Sequence, residues 1–411
     1  MTIRIAQFHQ QVNEDRVVNI ADCVRDGLDS LPLSDLVKPG MRIAIGVGSR
    51  SISSQVEVLH VVVDQLKSLG AKPFFVTAMG SHGSSTGEGQ KQVIESYGIR
   101  SADFGIPILS SIEVKQIGTT SSGMPVFCDV LAAESDGIIV VNRIKEHTAF
   151  KARWESGLLK ILAVGLGNPR GATEIHNWGI PGAILPAARV VIEKLPVICG
   201  IGIVENGRHQ AAKIAILPAK KIEEMEPELL NYARSLLSHI PFEPLDLLVL
   251  QEIGKDISGT GMDLNVVGMW RRTGGPVSPL IKVLGALDLT KDSHGNAIGV
   301  GHADLVVRRL VEKIDWEATR YNCFTSKNYA GGKTPMTLET DKDLFDTALS
   351  GIADGNARIM IAKNTLLLDT FWVSESLLSD ANNNPSLNQI SSYYPLNFDS
   401  SGALLLPNLQ N

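Results

Sequence analysis

The sequence predicts an α/β protein of two domains with largely parallel sheets and an active site in the interdomain cleft. Short apolar runs end in glycine-rich polar loops and alternate with stretches of helical spacing, the pattern of strand–loop–helix units. That pattern restarts after Pro241-Phe242-Glu243-Pro244 with a new apolar run. The chain has 411 residues, beyond the roughly 250–300 at which a single core stops growing. The chain therefore divides into residues 1–240 and 241–411, with a tail at 382–411, rich in Asn, Ser and Pro, that is either an extension wrapping back or loosely ordered.

Residues 42–48 (RIAIGVG) read as a buried parallel strand running into a loop. From Gln55 to Leu69, Val56, Leu59, Val63 and Leu66 recur at helical spacing, and Gly70 is the stop. PFFVTAMG (73–80) is a second strand, followed by the loop GSHGSSTGEGQ and a helix over 88–97. DGIIVVN (136–142) is a third strand, and the apolar run Leu158–Leu166 begins a buried helix. A helix at 186–195, strands at 197–206 and 212–219, and a polar-faced helix over 221–239 complete the first half. In the second half the strands are LLVLQEIG, IKVLGALDL, AIGVG and ARIMIAK, with helices near 303–314 and 341–353.

Composition narrows the function. A net charge of −6 gives no electrostatic case for nucleic acid or an anionic membrane surface. The four cysteines are far apart and form no C-x-x-C, which argues against a zinc knuckle or a disulfide framework and suits a reducing cytoplasm. The first residues contain no apolar signal-peptide core, and no apolar run approaches the ~20 residues of a bilayer span. The expectation is a soluble cytoplasmic protein.

Five residues stand out in turn-like segments, where scaffolds display reactive groups. Arg50 lies in GSRSISSQ, where backbone N–H groups, hydroxyls and a guanidinium before a helix suit a phosphate or carboxylate; the plainer reading is a capped helix with an exposed Arg. His82 lies among glycines that let a backbone approach a ligand; the plainer reading is a surface loop. The segment has no G-K-[ST], so it is not a P-loop. His147, in IKEHTAFK, directly follows a strand, and an imidazole can take and return a proton near neutral pH; the plainer reading is a surface histidine. Lys160 has apolar surroundings, so it either snorkels or is held partly buried for a reason. His176, near Glu174, is a metal-ligand candidate or a structural histidine. His294 and His302 flank a Gly-rich turn at a spacing that matches no recognised ligand pattern.

Taken in order, these residues resemble the nickel-pincer lactate racemase family. Its T-R-P-like and G-T-H turns correspond to Gly48-Ser49-Arg50 and Gly80-Ser81-His82, with 32 residues from Arg50 to His82. Its histidine before S-G-G-x-K corresponds to His147 before Ser156-Gly157-Leu158-Leu159-Lys160, and its next histidine, sixteen residues on, to His176. The resemblance covers roughly residues 40–220.

The resemblance implies a racemase or epimerase of a 2-hydroxy acid, an isomerase. The implied cofactor is a pyridinium-3,5-bisthiocarboxylic acid mononucleotide-type pincer attached to Lys160, holding nickel with His176 as the protein ligand; cofactor-biosynthesis proteins would be partners. Square-planar coordination with soft donors suits Ni(II). Ser49, Arg50, Gly80 and Ser81 would hold the phosphate or the substrate carboxylate, and His82 and His147 would be the two acid/base groups.

The chain departs from the family at Val47, where an acidic residue is usual, and at Leu158, where glycine is usual. The second-domain Tyr-Gln-x-x-Lys motif is absent; in its approximate place is GKDISGTGMD, where Lys255 would meet the substrate and Asp256 would orient it. The alternative reading is a cofactor-free relative acting as a small-molecule binding or regulatory protein. An NAD-dependent dehydrogenase is disfavoured, because no G-x-G-x-x-G follows an early strand.

Overall fold

The computed structural model describes residues 3–49, 51–353 and 355–407. The chain forms two compact units. One comprises Glu14–His147 and Lys151–Leu237; the other comprises Met1–Asn13, Thr148–Phe150 and Ser238–Asn411. Sequence reading grouped the N-terminus with the first half. Instead the first strand, β1 (Arg4–Gln10), pairs antiparallel with Thr370–Ser374 and Leu387–Gln389 near the far end of the chain. Its residues Ile5, Ala6 and Phe8 are buried, and together with Leu245, Leu247 and Ile359 they form part of the second unit's core.

In the first unit α1 (Ile20–Asp29) precedes β2 (Arg42–Val47), α2 (Gln55–Ser68), β3 (Lys72–Thr77) and α3 (Gly87–Ser96). Then come β4 (Ile108–Leu109), the β5–β6 hairpin (Val114–Thr119, Pro125–Asp129) and β7 (Gly137–Arg143). The unit ends with α4 (Asn168–Trp178), α5 (Ile180–Lys194), β8 (Val197–Glu205), β9 (Ala211–Pro218) and α6 (Ile222–Leu236). The sheet order is β4-β3-β2-β7-β8-β9, parallel except for β9. β2 and β3 are buried at every position after the first, as strands covered on both faces must be. α2 buries Val58, Leu59, Val62, Val63 and Leu66 along one stripe.

In the second unit the strands are β10 (Leu245–Leu250), β11 (Ile281–Ala286), β12 (Leu305–Val307), β13 (Met336–Leu338), β14 (Ile359–Ala362), β15 (Thr370–Ser374) and β16 (Leu387–Gln389). They form a sheet in the order β13-β12-β11-β10-β14-β15-β1-β16. The strands from β13 to β14 are mutually parallel, and β15 begins an antiparallel edge. The longer helices are α7 (Trp316–Ser326) and α8 (Asp341–Ala348), the latter begun by a Thr340–Asp343 capping box. The tail is ordered onto β1: β16 pairs with one part of it, and Tyr394–Pro395 with another.

Three expected elements differ. AIGVG is no strand: Gly299 has φ +101, and a Cβ there would fall on the Thr260 carbonyl, so the chain turns instead. The expected helix at 303–314 is a strand over Leu305–Val307 and a short helix over Arg308–Glu312, because the Leu-Val-Val run favours extended backbone. α8 stops at Ala348, short of 353. Among the described residues no helix is long and apolar enough to cross a membrane.

Candidate functional site

β2, β3 and β7 are parallel neighbours, with Val47 paired to both Thr77 and Val141. The segments leaving their carboxyl ends carry Ser49, Gly80-Ser81-His82 and His147, so all three start from one sheet edge. In open parallel sheets that edge is where ligands bind. Arg50 lies outside the described residues.

The first two loops touch directly: the Ser49 hydroxyl is hydrogen-bonded to Nδ1 of His82. The Tyr97 hydroxyl donates to the Ser49 carbonyl at 3.0 Å. The His82 loop is held from beneath by Gln90, which is fully buried; its amide donates to the Gly80 carbonyl at 2.9 Å and its carbonyl oxygen accepts from Thr77 at 2.7 Å. His82 itself is exposed and Ser81 half-buried at the tip of this turn.

Lys160 is half-buried at the end of the short helix Leu158–Lys160, which continues as a π-helical turn, Ile161–Gly165. π turns recur at functional sites. This turn abuts the His82 loop: the Gly80 N–H donates to the Gly165 carbonyl at 3.1 Å. Gly80 has φ +60, and a Cβ there would lie 3.3 Å from the Ala172 methyl and 3.4 Å from the Val164 carbonyl. Ala172 belongs to α4, whose last turn carries a half-buried His176. The Gly80 turn is thus wedged between the elements that bear Lys160 and His176.

The start of the Lys160 helix rests on Glu226 of α6. The two orphan N–H groups of Leu158 and Leu159 donate to its Oε2 at 2.6 and 3.0 Å. Gly157 makes room for this carboxylate, since a Cβ there would sit 2.6 Å from it. Glu226 is 1% exposed, its Oε1 has no hydrogen-bond partner, and burial pushes its carboxyl up to about 7 despite the two N–H donors.

His147 is half-buried, and its backbone N–H donates to Oε2 of Glu155 at 2.5 Å. Glu155 is 1% exposed; it also accepts from the Ala152 N–H at 2.9 Å and from Arg234 at 2.7 Å. An antiparallel bridge between Lys145 and Ser156 closes the neck of this loop. The Ser49 loop has a similar anchor. Glu205, at the end of β8, accepts the Ser53 N–H at 2.6 Å and pairs with Arg143 at 2.5 Å. Its burial opposes ionisation, but His209, Arg143 and the Ser53 N–H outweigh it and hold the carboxyl down at about 2.

Lys255 and Asp256 lie in the second unit, past the carboxyl end of β10. Nζ of Lys255 donates to Oδ1 of Asn322 at 2.8 Å. The Ser293 hydroxyl accepts the Lys255 N–H at 2.7 Å and donates to Asp256 at 3.1 Å, and Thr290 donates to the same carboxylate at 2.5 Å. Asp256 therefore bears on Lys255 through Ser293.

Sequence reading missed all three supporting glutamates. For Glu226 a signal existed: it lies four residues after Ile222 and three before Leu229, on the stripe that α6 buries. For Glu155 and Glu205 nothing local distinguishes them from surface carboxylates. Among the described residues no group of three or more His, Cys, Asp or Glu could hold a metal ion. A metal here would need donors from a bound group, with an imidazole as the protein's share.

Residues 2–180 match the family model of the lactate racemase N-terminal domain. In fold the chain is similar to the lactate racemase apoprotein from Thermoanaerobacterium thermosaccharolyticum, with a TM-score of 0.54 at 14% identity over 89% of this chain and 99% of that one. No curated protein matches the chain in sequence. The resemblance read from the motifs is borne out by the family match, and the α/β fold by the structural one.

Proposed function

We propose, from the lactate racemase match over residues 2–180, that this chain is an isomerase that racemises or epimerises a 2-hydroxy acid with a nickel-pincer nucleotide. The observation that carries the reading is the convergence of Ser49, His82 and the Lys160 turn at one sheet edge, within the matched residues. Lys160 would bear the cofactor and His176 would be the metal's protein ligand.

The residues present fit such a group. Gly80 lets its turn pack directly against Val164 and Ala172, which brings the His82 loop up to the elements bearing Lys160 and His176, and Lys160 is half-buried, where an uncharged linkage costs less than a free ammonium. When bound, the cofactor supplies a hydride acceptor and donor. The chain's own part is to move a proton on and off the substrate hydroxyl. His82 suits this because its Nδ1 partner is a hydroxyl, which both donates and accepts. Ser49 can therefore stabilise either tautomer, leaving Nε2 to act as base in one direction and acid in the other. His147, its backbone fixed by Glu155, would serve the opposite enantiomer. Lys255 would hold the substrate carboxylate.

The test is intact mass after co-expression with cofactor-biosynthesis proteins and nickel. An adduct of several hundred daltons, lost in Lys160→Ala, is expected. His82→Ala and His147→Ala should each keep the adduct and abolish racemisation. An unmodified protein under those conditions would instead favour a cofactor-free binding protein, the reading favoured by the lack of a Tyr-Gln-x-x-Lys motif in the second unit.

A further inference from the structure

A group of buried polar atoms in the second unit lies outside everything described above. It centres on the single helical turn Trp270–Thr273, which follows Gly268 and leads towards β11. The Arg271 guanidinium stacks over the Trp270 ring at 4.5 Å. It donates through Nη1 to Asp304 at 2.8 Å and through Nη2 to the Ile281 carbonyl at 2.9 Å, and its side chain is only 4% exposed. Its Nε–H is buried and has no hydrogen-bond partner among the described residues; the same holds for the Nε–H of Arg272 and the Nε1–H of Trp270.

His302 completes the group. It is 3% exposed, in the one-turn helix Val300–His302, and neither ring nitrogen makes a hydrogen bond of normal geometry. The charges acting on it are those of Arg272 and Arg271, and the Arg271 carbonyl offers a partial offset. Burial and these two guanidinium groups push its imidazole down to about 4.

Buried polar atoms without partners are few in native proteins and call for an explanation. Here five such atoms belong to four neighbouring residues, and three of them can only donate. The acid paired with Arg271, Asp304, already takes the Leu284 N–H and Arg271 on a single oxygen. Among the described residues Arg272 forms no ion pair. Two guanidinium groups exclude a metal cation, and a neutral ligand would leave the charge uncompensated. An acceptor-only group with several lone pairs matches donors of this kind, which is what guanidinium forks recognise.

We propose that Trp270, Arg271, Arg272 and His302 form a binding site for a small oxyanion, a phosphate or carboxylate group. The site is separate from the proposed reaction. Ile281 begins β11 and Asp304 directly precedes β12, so the cluster lies at the amino ends of these strands. Lys255 follows the carboxyl end of β10, which runs parallel to β11. The two groups therefore occupy opposite edges of one sheet, and the anion would act as an effector or a structural ion.

The test is titration of the full chain, without cofactor, by inorganic phosphate and by acetate, with chloride as the control. Saturable binding of phosphate or acetate is expected; binding of phosphate alone would assign a phosphate, and binding of both a carboxylate-sized site. Arg272→Lys keeps the charge but removes the Nε donor and should weaken binding by roughly tenfold or more. His302→Asn should weaken it too. In the parent chain the His302 ring, identified in labelled-histidine spectra by its absence in His302→Asn, should titrate at higher pH once phosphate is bound. Binding equal to the chloride control, or unchanged in Arg272→Lys, would overturn the proposal and leave water as the partner of these atoms.

Discussion

Replacing Glu226 with Gln should make this protein more stable at neutral pH, not less. The carboxyl is 1% exposed, and burial raises it from the ordinary 4.5 to about 7. That gap corresponds to about 3 kcal/mol, at roughly 1.4 kcal/mol per tenfold. The sign follows from linkage: the folded state keeps a proton that the unfolded state gives up above pH 4.5. Stability is therefore full below that value, falls as pH rises, and levels off above about 7.

Gln keeps an oxygen acceptor for the Leu158 and Leu159 N–H groups and has nothing to ionise. Parent and variant should thus coincide near the unfolded value of 4.5 and diverge by about 3 kcal/mol at pH 8. For a unit of about 220 residues this is roughly 6–12 °C in unfolding midpoint. The assay is thermal unfolding of both proteins across this pH range, followed by circular dichroism. Parallel pH profiles for the two would refute the reasoning, since a carboxyl that ionises freely gives no divergence. Glu226→Ala separates the capping role: it leaves two buried N–H groups unpaired and should be roughly 2–4 kcal/mol less stable than Glu226→Gln at every pH.

Other variants test the remaining anchors. Glu205→Gln should destabilise by about 3 kcal/mol at pH 7, because a carboxyl held down at about 2 contributes its full stability above 4.5 and loses it progressively as pH falls from there to about 2; urea unfolding showing under 1 kcal/mol would contradict the assigned pairing with Arg143 and Ser53. Gly80→Ala should cost about 1–3 kcal/mol from its positive φ and its contacts with Ala172 and Val164, read as a lower unfolding midpoint, and a neutral result would mean the turn is not wedged. Ser49→Ala should lower kcat while leaving the Lys160 adduct intact, and an unchanged kcat would show that His82 needs no hydroxyl partner.

Much of the first unit was legible because its strands are buried on both faces and its loops are rich in glycine. Those two signals locate Ser49, His82 and His147 without any long-range information. β5, β6 and α7 were not legible: β5 has no buried position, β6 is only five residues long, and α7 leaves Tyr321 and Phe324 in solvent, so none shows a clean period. β1 was misassigned for a different reason. Which sheet it joins depends on partners more than 350 residues away. No local pattern encodes that choice.

The supporting carboxylates explain why the site itself was easier to find than what holds it. Glu155, Glu205 and Glu226 each accept backbone N–H groups from a different site segment, at His147, Ser53 and Leu158–Leu159. Two of the three reach across the chain, from β8 to the Ser49 loop and from α6 to the Lys160 helix. A backbone N–H donor leaves no trace in residue identity, so such anchors are silent in sequence. They also respond to pH in opposite senses. The Glu205 anchor is weakened by acid below 4.5, whereas the Glu226 anchor is penalised by base above it. Their summed contribution therefore peaks near pH 4.5, and at neutral pH the Lys160 helix stands on a carboxyl whose ionisation burial opposes. The Ser49 loop remains fully anchored there. Between the two segments, it is therefore the anchor of the Lys160 helix, the element proposed to receive a covalent group, that neutral pH penalises.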